Sequence, residues 1–198
     1  MRVAILSQGP CTGRWAPPRE GYDLRIGVNS AAAEYAVDWA CFADYTGWAL
    51  VHAAKGIRYF TKHDIATDLQ NDAKHTGFLG TWLEYGRPNA IYEADLKPRP
   101  PLPEGIPGRI KYSGCYALWL AWHLGATEVE CFGVDLGGTR DFLGRPEVSM
   151  NCRGPSRWDR ERAAWYAMCE AFGRLGTVVR MARMVAWESA KAMHGSDG

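Results

Sequence analysis

Polar side chains stand at the ends of several short apolar runs of this 198-residue chain, within two residues of the positions where strands would end. They belong to Gln8, Asn29, Asp44 and Asp135. Amide and carboxylate groups hydrogen-bond to base edges and ribose hydroxyls. Because the carboxyl ends of parallel strands meet at one edge of a sheet, where ligands collect, these residues predict a site for a nucleotide or another phosphorylated small molecule.

Backbone groups at the same edge add to this pattern. Ser113 and Gly114 begin the apolar helical segment SGCYALWLAWHLG, and the first N–H groups of a helix bind anions. Gly9-Pro10 forms a turn after the first run. Taken singly, these residues have ordinary uses, since Gly-Pro makes turns and Asn or Asp caps helices. Their convergence at one edge favours a ligand site.

Catalytic groups are sparser. His63 follows the fourth apolar run, beside Lys62 and Asp64, and is the best-placed general base. Asp44 is the next candidate, and it could instead hold Mg²⁺ together with Asp135. No other cofactor is predicted.

Arginines follow Asp135 in the sequence. Arg140, Arg145 and Arg153 suit a phosphate or a carboxylate, because the guanidinium fork binds such anions in pairs of hydrogen bonds. The alternative is a solvated surface loop.

Several protein classes are disfavoured. GxGxxG after the first run, GxxxxGK[ST] and GxSxG are all absent, which argues against NAD enzymes, P-loop NTPases and serine hydrolases of the elbow type. The six cysteines form no CxxC pair, which argues against structural zinc. A formal net charge of +1 argues against a nucleic-acid partner. Since no apolar run suits a signal peptide or a membrane span, a cytoplasmic protein is predicted.

The elements that would position these residues alternate between strand and helix. Short, continuously apolar runs are typical of strands buried on both faces, and they occur at residues 3–6, 24–28, 39–43, 57–60, 91–94, 128–134 and 177–181. Helical segments are predicted at residues 31–37, 47–55 and 113–125 and from the cap signal at Ser156.

This alternation predicts one α/β domain over residues 1–190, with an open, mainly parallel, Rossmann-like sheet flanked by helices. Residues 191–198 are predicted to be a disordered tail. Five prolines between residues 97 and 108 exclude a helix or a central strand there. That segment is predicted to be a lid or a connector.

The turn at Gln8-Gly9-Pro10, the segments IGVNS and CFAD, and above all YSGCYALWLAWHLGATEVECFGVD resemble the bacterial sialyltransferases that use CMP-sialic acid. The archaeal 6-hydroxymethylpterin diphosphokinases share that scaffold. Residues 65–110 have no clear match. The resemblance implies that Gln8 stands where those enzymes place an Asn against the donor phosphate. It also implies nucleotide contacts for Asn29 and, where a second Asn is expected, for Asp44.

The resemblance further implies that the backbone of Ser113 and Gly114 helps to hold cytidine and that Asp135 closes the Gly-x-Asp strand. Two features of those enzymes are missing. Their two Tyr after that strand, which stabilise the leaving phosphate, have no counterpart in LGGTRDFLGR. Their general-base His has none in MNCRGPSRW.

The sequence therefore predicts a nucleotide-binding transferase, with a glycosyltransferase using a nucleotide-activated sugar donor as the leading interpretation. One alternative is a pterin-type diphosphokinase that binds ATP and Mg²⁺ at Asp44 and Asp135. The other is a non-catalytic nucleotide-binding or sensing module, which the missing His and Tyr favour.

Overall fold

The computed structural model describes residues 1–9, 12, 19–43, 58–61, 90–92, 112–134 and 155–182. The proline-rich segment, the helix predicted at residues 47–55 and the predicted tail lie outside these ranges.

Seven strands and three α-helices form within the described residues. The strands are β1 (Arg2–Leu6), β2 (Leu24–Val28), β3 (Trp39–Cys41), β4 (Arg58–Thr61), β5 (Ala90–Tyr92), β6 (Glu128–Phe132) and β7 (Val178–Met181). The helices are α1 (Ser30–Glu34), α2 (Ser113–His123) and α3 (Pro155–Arg174), and a short 3-10 turn spans Arg19–Gly21. Each apolar run predicted as a strand overlaps one of these strands. The first helix is shorter than predicted, and α3 begins at Pro155, one residue before the predicted cap.

All seven strands join one sheet in the order β5-β4-β3-β2-β1-β6-β7, and every pairing is parallel. The predicted fold class, an α/β fold with an open parallel sheet flanked by helices, is confirmed. The chain builds outward from β1 to β5 and then returns to place β6 on the other side of β1. The boundary between β1 and β6 is therefore the topological switch point, where ligands of such sheets bind outside the carboxyl ends of the strands.

Both faces of the sheet are covered, which explains the continuous apolar runs. Val3 and Ile5 lie in the cluster that α2 and α3 cover, whereas Ala4 and Leu6 lie in the cluster beneath α1. All four side chains are fully buried. On the α2 side, Trp122 stacks on a ring of α3, that of Phe172, with 5.2 Å between ring centroids.

Two buried threonines differ in a way that predicts opposite effects of the same substitution. The Thr177 hydroxyl donates to the Ala126 carbonyl oxygen over 2.8 Å, whereas the Thr61 hydroxyl, at the end of β4, finds no partner in the part of the chain that is described. Thr61→Val replaces an unsatisfied hydroxyl by a methyl group and should raise the free energy of unfolding by about 1 kcal/mol. Thr177→Val should lower it by about 1–2 kcal/mol. Urea denaturation of both variants tests this pair, and effects of the same sign would contradict it.

Candidate ligand site at the carboxyl edge of the sheet

Strands β1 and β6 stay joined beyond their ends. Ser7 N donates to Phe132 O and Gly9 N donates to Gly133 O, both over 2.8 Å. Thr12 then closes the turn, because its hydroxyl donates to Ser7 O over 2.6 Å and its N–H donates to Gly9 O over 3.0 Å. These four hydrogen bonds form a floor at the switch point. Gly9, predicted as a nucleotide-binding residue, is part of that floor, and its N–H and carbonyl groups both bond within the protein.

Asn29 forms a sharp elbow between β2 and α1. Its backbone has φ 50° and ψ −125°, a conformation that L-residues rarely adopt. Asn29 N donates to Cys41 O, and Asn29 O accepts from Ala32 N, both over 3.0 Å. The turn brings α1 so close to β2 that a Cβ on Gly27 would lie 2.6 Å from the Ala32 Cα.

The Asn29 side chain does not cap the helix that it precedes. Although Asn29 occupies the N-cap position of α1, it makes no side-chain capping hydrogen bond. The ordinary structural use of an Asn at this place is therefore not the one observed. A strained strand-to-helix turn is also the device by which α/β-hydrolases expose a nucleophilic serine. Here the side chain at the turn is an amide, which can hydrogen-bond but cannot attack.

The side chains of Gln8, Asn29 and Ser30 form a chain of hydrogen bonds. Asn29 Nδ2 donates to Gln8 Oε1 over 3.2 Å, and Gln8 Nε2 donates to Ser30 Oγ over 3.2 Å. Ser30 is 2% exposed. At the other end, Asn29 Oδ1 is buried and has no hydrogen-bond partner among the described residues. The structure thus brings together two of the sequence-predicted residues and leaves one acceptor unpaired.

Helix α2 begins beside this elbow. Cys41, whose carbonyl oxygen holds Asn29 N, also directs its thiol at Ser113 O, with 3.7 Å between sulfur and oxygen. Ser113 is the first helical residue, and Tyr112 rather than Ser113 occupies the N-cap position. A Cβ on Gly114 would come no closer than 3.5 Å to Trp165, an ordinary contact. The packing described here therefore does not require a glycine at position 114.

The described cysteines are unsuited to nucleophilic catalysis. Cys41, Cys115 and Cys131 are buried, and burial raises the pKa of each thiol above its usual range. Burial also raises the pKa of Cys169 to about 12. Because the thiolate is the nucleophile, these four side chains serve as small apolar groups of the core.

His123 is the one histidine that the structure describes. It ends α2, at the opposite end of that helix from Ser113, and its ring centroid lies 6.4 Å from that of Trp119. An 11-residue helix is roughly 16 Å long, so His123 takes no part in a site at the carboxyl edge.

The other predicted site residues lie outside the described ranges. They are Pro10, Asp44, His63, Asp135, Arg140, Arg145 and Arg153. Within those ranges, no group of three or more His, Cys, Asp or Glu side chains is arranged to hold a metal ion. None of the described helices combines the length and the apolar character that crossing a membrane requires.

No protein-family model matches this chain, and no curated protein matches it. The resemblance to the sialyltransferases stays a prediction from the sequence motifs.

Sequence reasoning missed Ser30, the buried end of the hydrogen-bonded chain. The segment GVNSA contains a signal for the sharp turn at Asn29, because small residues lie two positions before it, at Gly27, and two positions after it, at Ala31. Small side chains at that spacing permit a strand to turn sharply into a helix.

Proposed function

We propose that this chain binds a nucleotide at the carboxyl edge of its sheet and transfers a group from a nucleotide-activated donor, a sugar in the first instance. The observation that supports this proposal best is the state of Asn29. Its backbone is strained, and its Oδ1 is buried without a partner in the described part of the chain. Such strain costs about 1–3 kcal/mol and is concentrated at functional sites.

An N–H or O–H of the ligand satisfies Asn29 Oδ1 in this proposal. A nucleotide supplies such donors on its base and its ribose. The position agrees with the general behaviour of parallel sheets, because the elbow follows β2, the neighbour of β1 at the switch point. Binding then supplies a hydrogen-bond partner for Asn29 Oδ1.

The phosphates of the ligand lie toward the first turn of α2 in this proposal. The N–H groups of Ser113 and Gly114 have no partner within the helix, and the positive end of its dipole attracts anions. Arg140, Arg145 and Arg153 are the proposed side-chain partners of the departing phosphate, whose negative charge they stabilise. His63 or Asp44 is the proposed general base that takes the proton of the acceptor hydroxyl.

The variant Asn29→Gly separates binding from folding. Glycine adopts the observed φ and ψ without strain, and the substitution removes the unpaired acceptor. We expect the melting temperature of Asn29→Gly to equal or exceed that of the parent, while its nucleotide affinity falls about tenfold. Thermal-shift assays with CMP, UDP, GDP, ATP, and ATP with Mg²⁺ test both expectations. At ten times its Kd, a ligand stabilises the parent by about 1.4 kcal/mol, a rise of roughly 3–6 °C.

Glu34→Gln, on the same short helix and exposed, is the matched control and should leave both quantities unchanged. A parent protein that binds none of these nucleotides would overturn the proposal. If ATP with Mg²⁺ stabilises the protein and none of the other nucleotides does, the diphosphokinase alternative would replace the proposal. Tight binding without turnover of any nucleotide sugar would favour the sensing module.

A further inference from the structure

The hydrogen bonds among Gln8, Asn29 and Ser30 engage both ends of the Gln8 side-chain amide. Its Oε1 accepts from Asn29 Nδ2, and its Nε2 donates to Ser30 Oγ. The two residues that it bonds are adjacent in sequence, yet one is strained at the elbow and the other is 2% exposed at the start of α1. Gln8 therefore contacts the Asn29 amide directly and can influence its orientation.

This chain of three groups is self-consistent in two directions. In the observed direction, Asn29 donates to Gln8, Gln8 donates to Ser30, and Asn29 Oδ1 is left as an unpaired acceptor. In the reverse direction, the Ser30 hydroxyl donates to Gln8 Oε1 and Gln8 Nε2 donates to Asn29 Oδ1, which leaves Asn29 Nδ2 as an unpaired donor. Both directions satisfy the chemistry of amides and hydroxyls. The direction decides whether Asn29 offers a ligand an acceptor or a donor.

We infer that Gln8 and Ser30 are positioning residues that couple the direction of the Asn29 amide to their own, and that the ligand group bound by Asn29 in the observed direction is an N–H or O–H donor. The inference rests on the proposed function, and it adds a rule of specificity. Ligands with a donor at this point match the observed direction, whereas ligands with an acceptor there must reverse all three groups. Gln8 thus affects selectivity through its hydrogen bond to Asn29.

Substitutions of Gln8 can retain or break this control. Gln8→Glu keeps the observed direction, because a carboxylate accepts from both Asn29 Nδ2 and the Ser30 hydroxyl. Gln8→Met has a similar length and no hydrogen-bonding capacity of this strength, so the Asn29 amide is free to turn. Ser30→Ala removes the hydroxyl that bonds Gln8 Nε2, at the other end of this series of hydrogen bonds.

Matched pairs of nucleotides report the direction. CMP against UMP and AMP against IMP each exchange an amine donor for a carbonyl acceptor, and CMP against 2′-deoxy-CMP or 3′-deoxy-CMP removes a ribose hydroxyl. In the parent, we expect the donor-bearing member of one pair to bind about five- to tenfold more tightly by calorimetry. Gln8→Glu should keep that affinity ratio. Gln8→Met and Ser30→Ala should bring it close to one, and Glu34→Gln should not alter it.

The outcomes separate this inference from the proposed function. If the parent binds nucleotides but Gln8→Met keeps the ratio, or if no pair is discriminated, Gln8 is not a positioning residue although the function stands. A measurement without any ligand completes the test, namely the side-chain amide resonances of the protein in ¹H–¹⁵N NMR spectra. Ser30→Ala should shift the signals of both Gln8 and Asn29. A shift confined to Gln8 would overturn the inference whether or not nucleotides bind.

Discussion

Gly133→Ala is expected to lower the free energy of unfolding by roughly 2–5 kcal/mol, which combines the cost of a crowded methyl group with that of a left-handed backbone. Gly133 has φ 68°, and a Cβ there would lie 1.8 Å from the Thr12 Oγ1. It would also lie 2.8 Å from Gly9 O and 2.9 Å from Ser7 O. Those carbonyl oxygens cannot easily retreat, because both accept hydrogen bonds from Thr12.

Gly125→Ala is the matched control for this substitution. Gly125 has φ 89°, yet a Cβ there would meet nothing within 4 Å. It should therefore show the backbone cost alone, about 1–2 kcal/mol. Urea denaturation measures both variants, and the excess for Gly133→Ala is the contribution of the packed floor between β1 and β6. If both variants lose the same free energy of unfolding, the residues around Gly133 would have moved to accommodate the new methyl group at no cost, which would contradict the expectation.

Gly27→Ala is expected to destabilise the fold by about 2–3 kcal/mol through the contact of α1 with β2. The new Cβ would lie 2.6 Å from the Ala32 Cα and 2.8 Å from its N. Since these are backbone atoms, the whole of α1 must move outward, and Asn29 and Ser30 move with it. Binding of a nucleotide should weaken at temperatures where the variant is still folded.

Gly173→Ala provides the opposite expectation. Gly173 lies in α3, and a Cβ there would meet nothing within 4 Å. Alanine is the better helix former, so this variant should gain about 0.5–1 kcal/mol. Thermal melting of both variants, with nucleotide calorimetry on Gly27→Ala, checks the pair. A stabilised Gly27→Ala would contradict the close approach of α1 to β2.

The order of strands and helices was predictable from the sequence, because a strand that is buried on both faces of the sheet consists of a continuous apolar run. Residues 24–28 illustrate this, since the predicted run and β2 have the same bounds. Element ends were less predictable. One helix was predicted to run from residue 31 to residue 37, because apolar composition continues that far. The helix ends at Glu34 instead, where the chain turns toward β3.

The sequence by itself determined the α/β class, the parallel character of the sheet and the presence of Gln8 and Asn29 at strand ends. It did not determine whether Asn29 caps a helix or serves a ligand, because both uses need the same residue at the same place. Tertiary structure showed that the Asn29 side chain makes no capping hydrogen bond, and strand register decided which side chain it meets instead. Leu6 pairs with Gly27 across β1 and β2, so the residues two further along each strand, Gln8 and Asn29, stand opposite each other. Register depends on how two separate segments pack against a shared core, and no local pattern in either segment contains it.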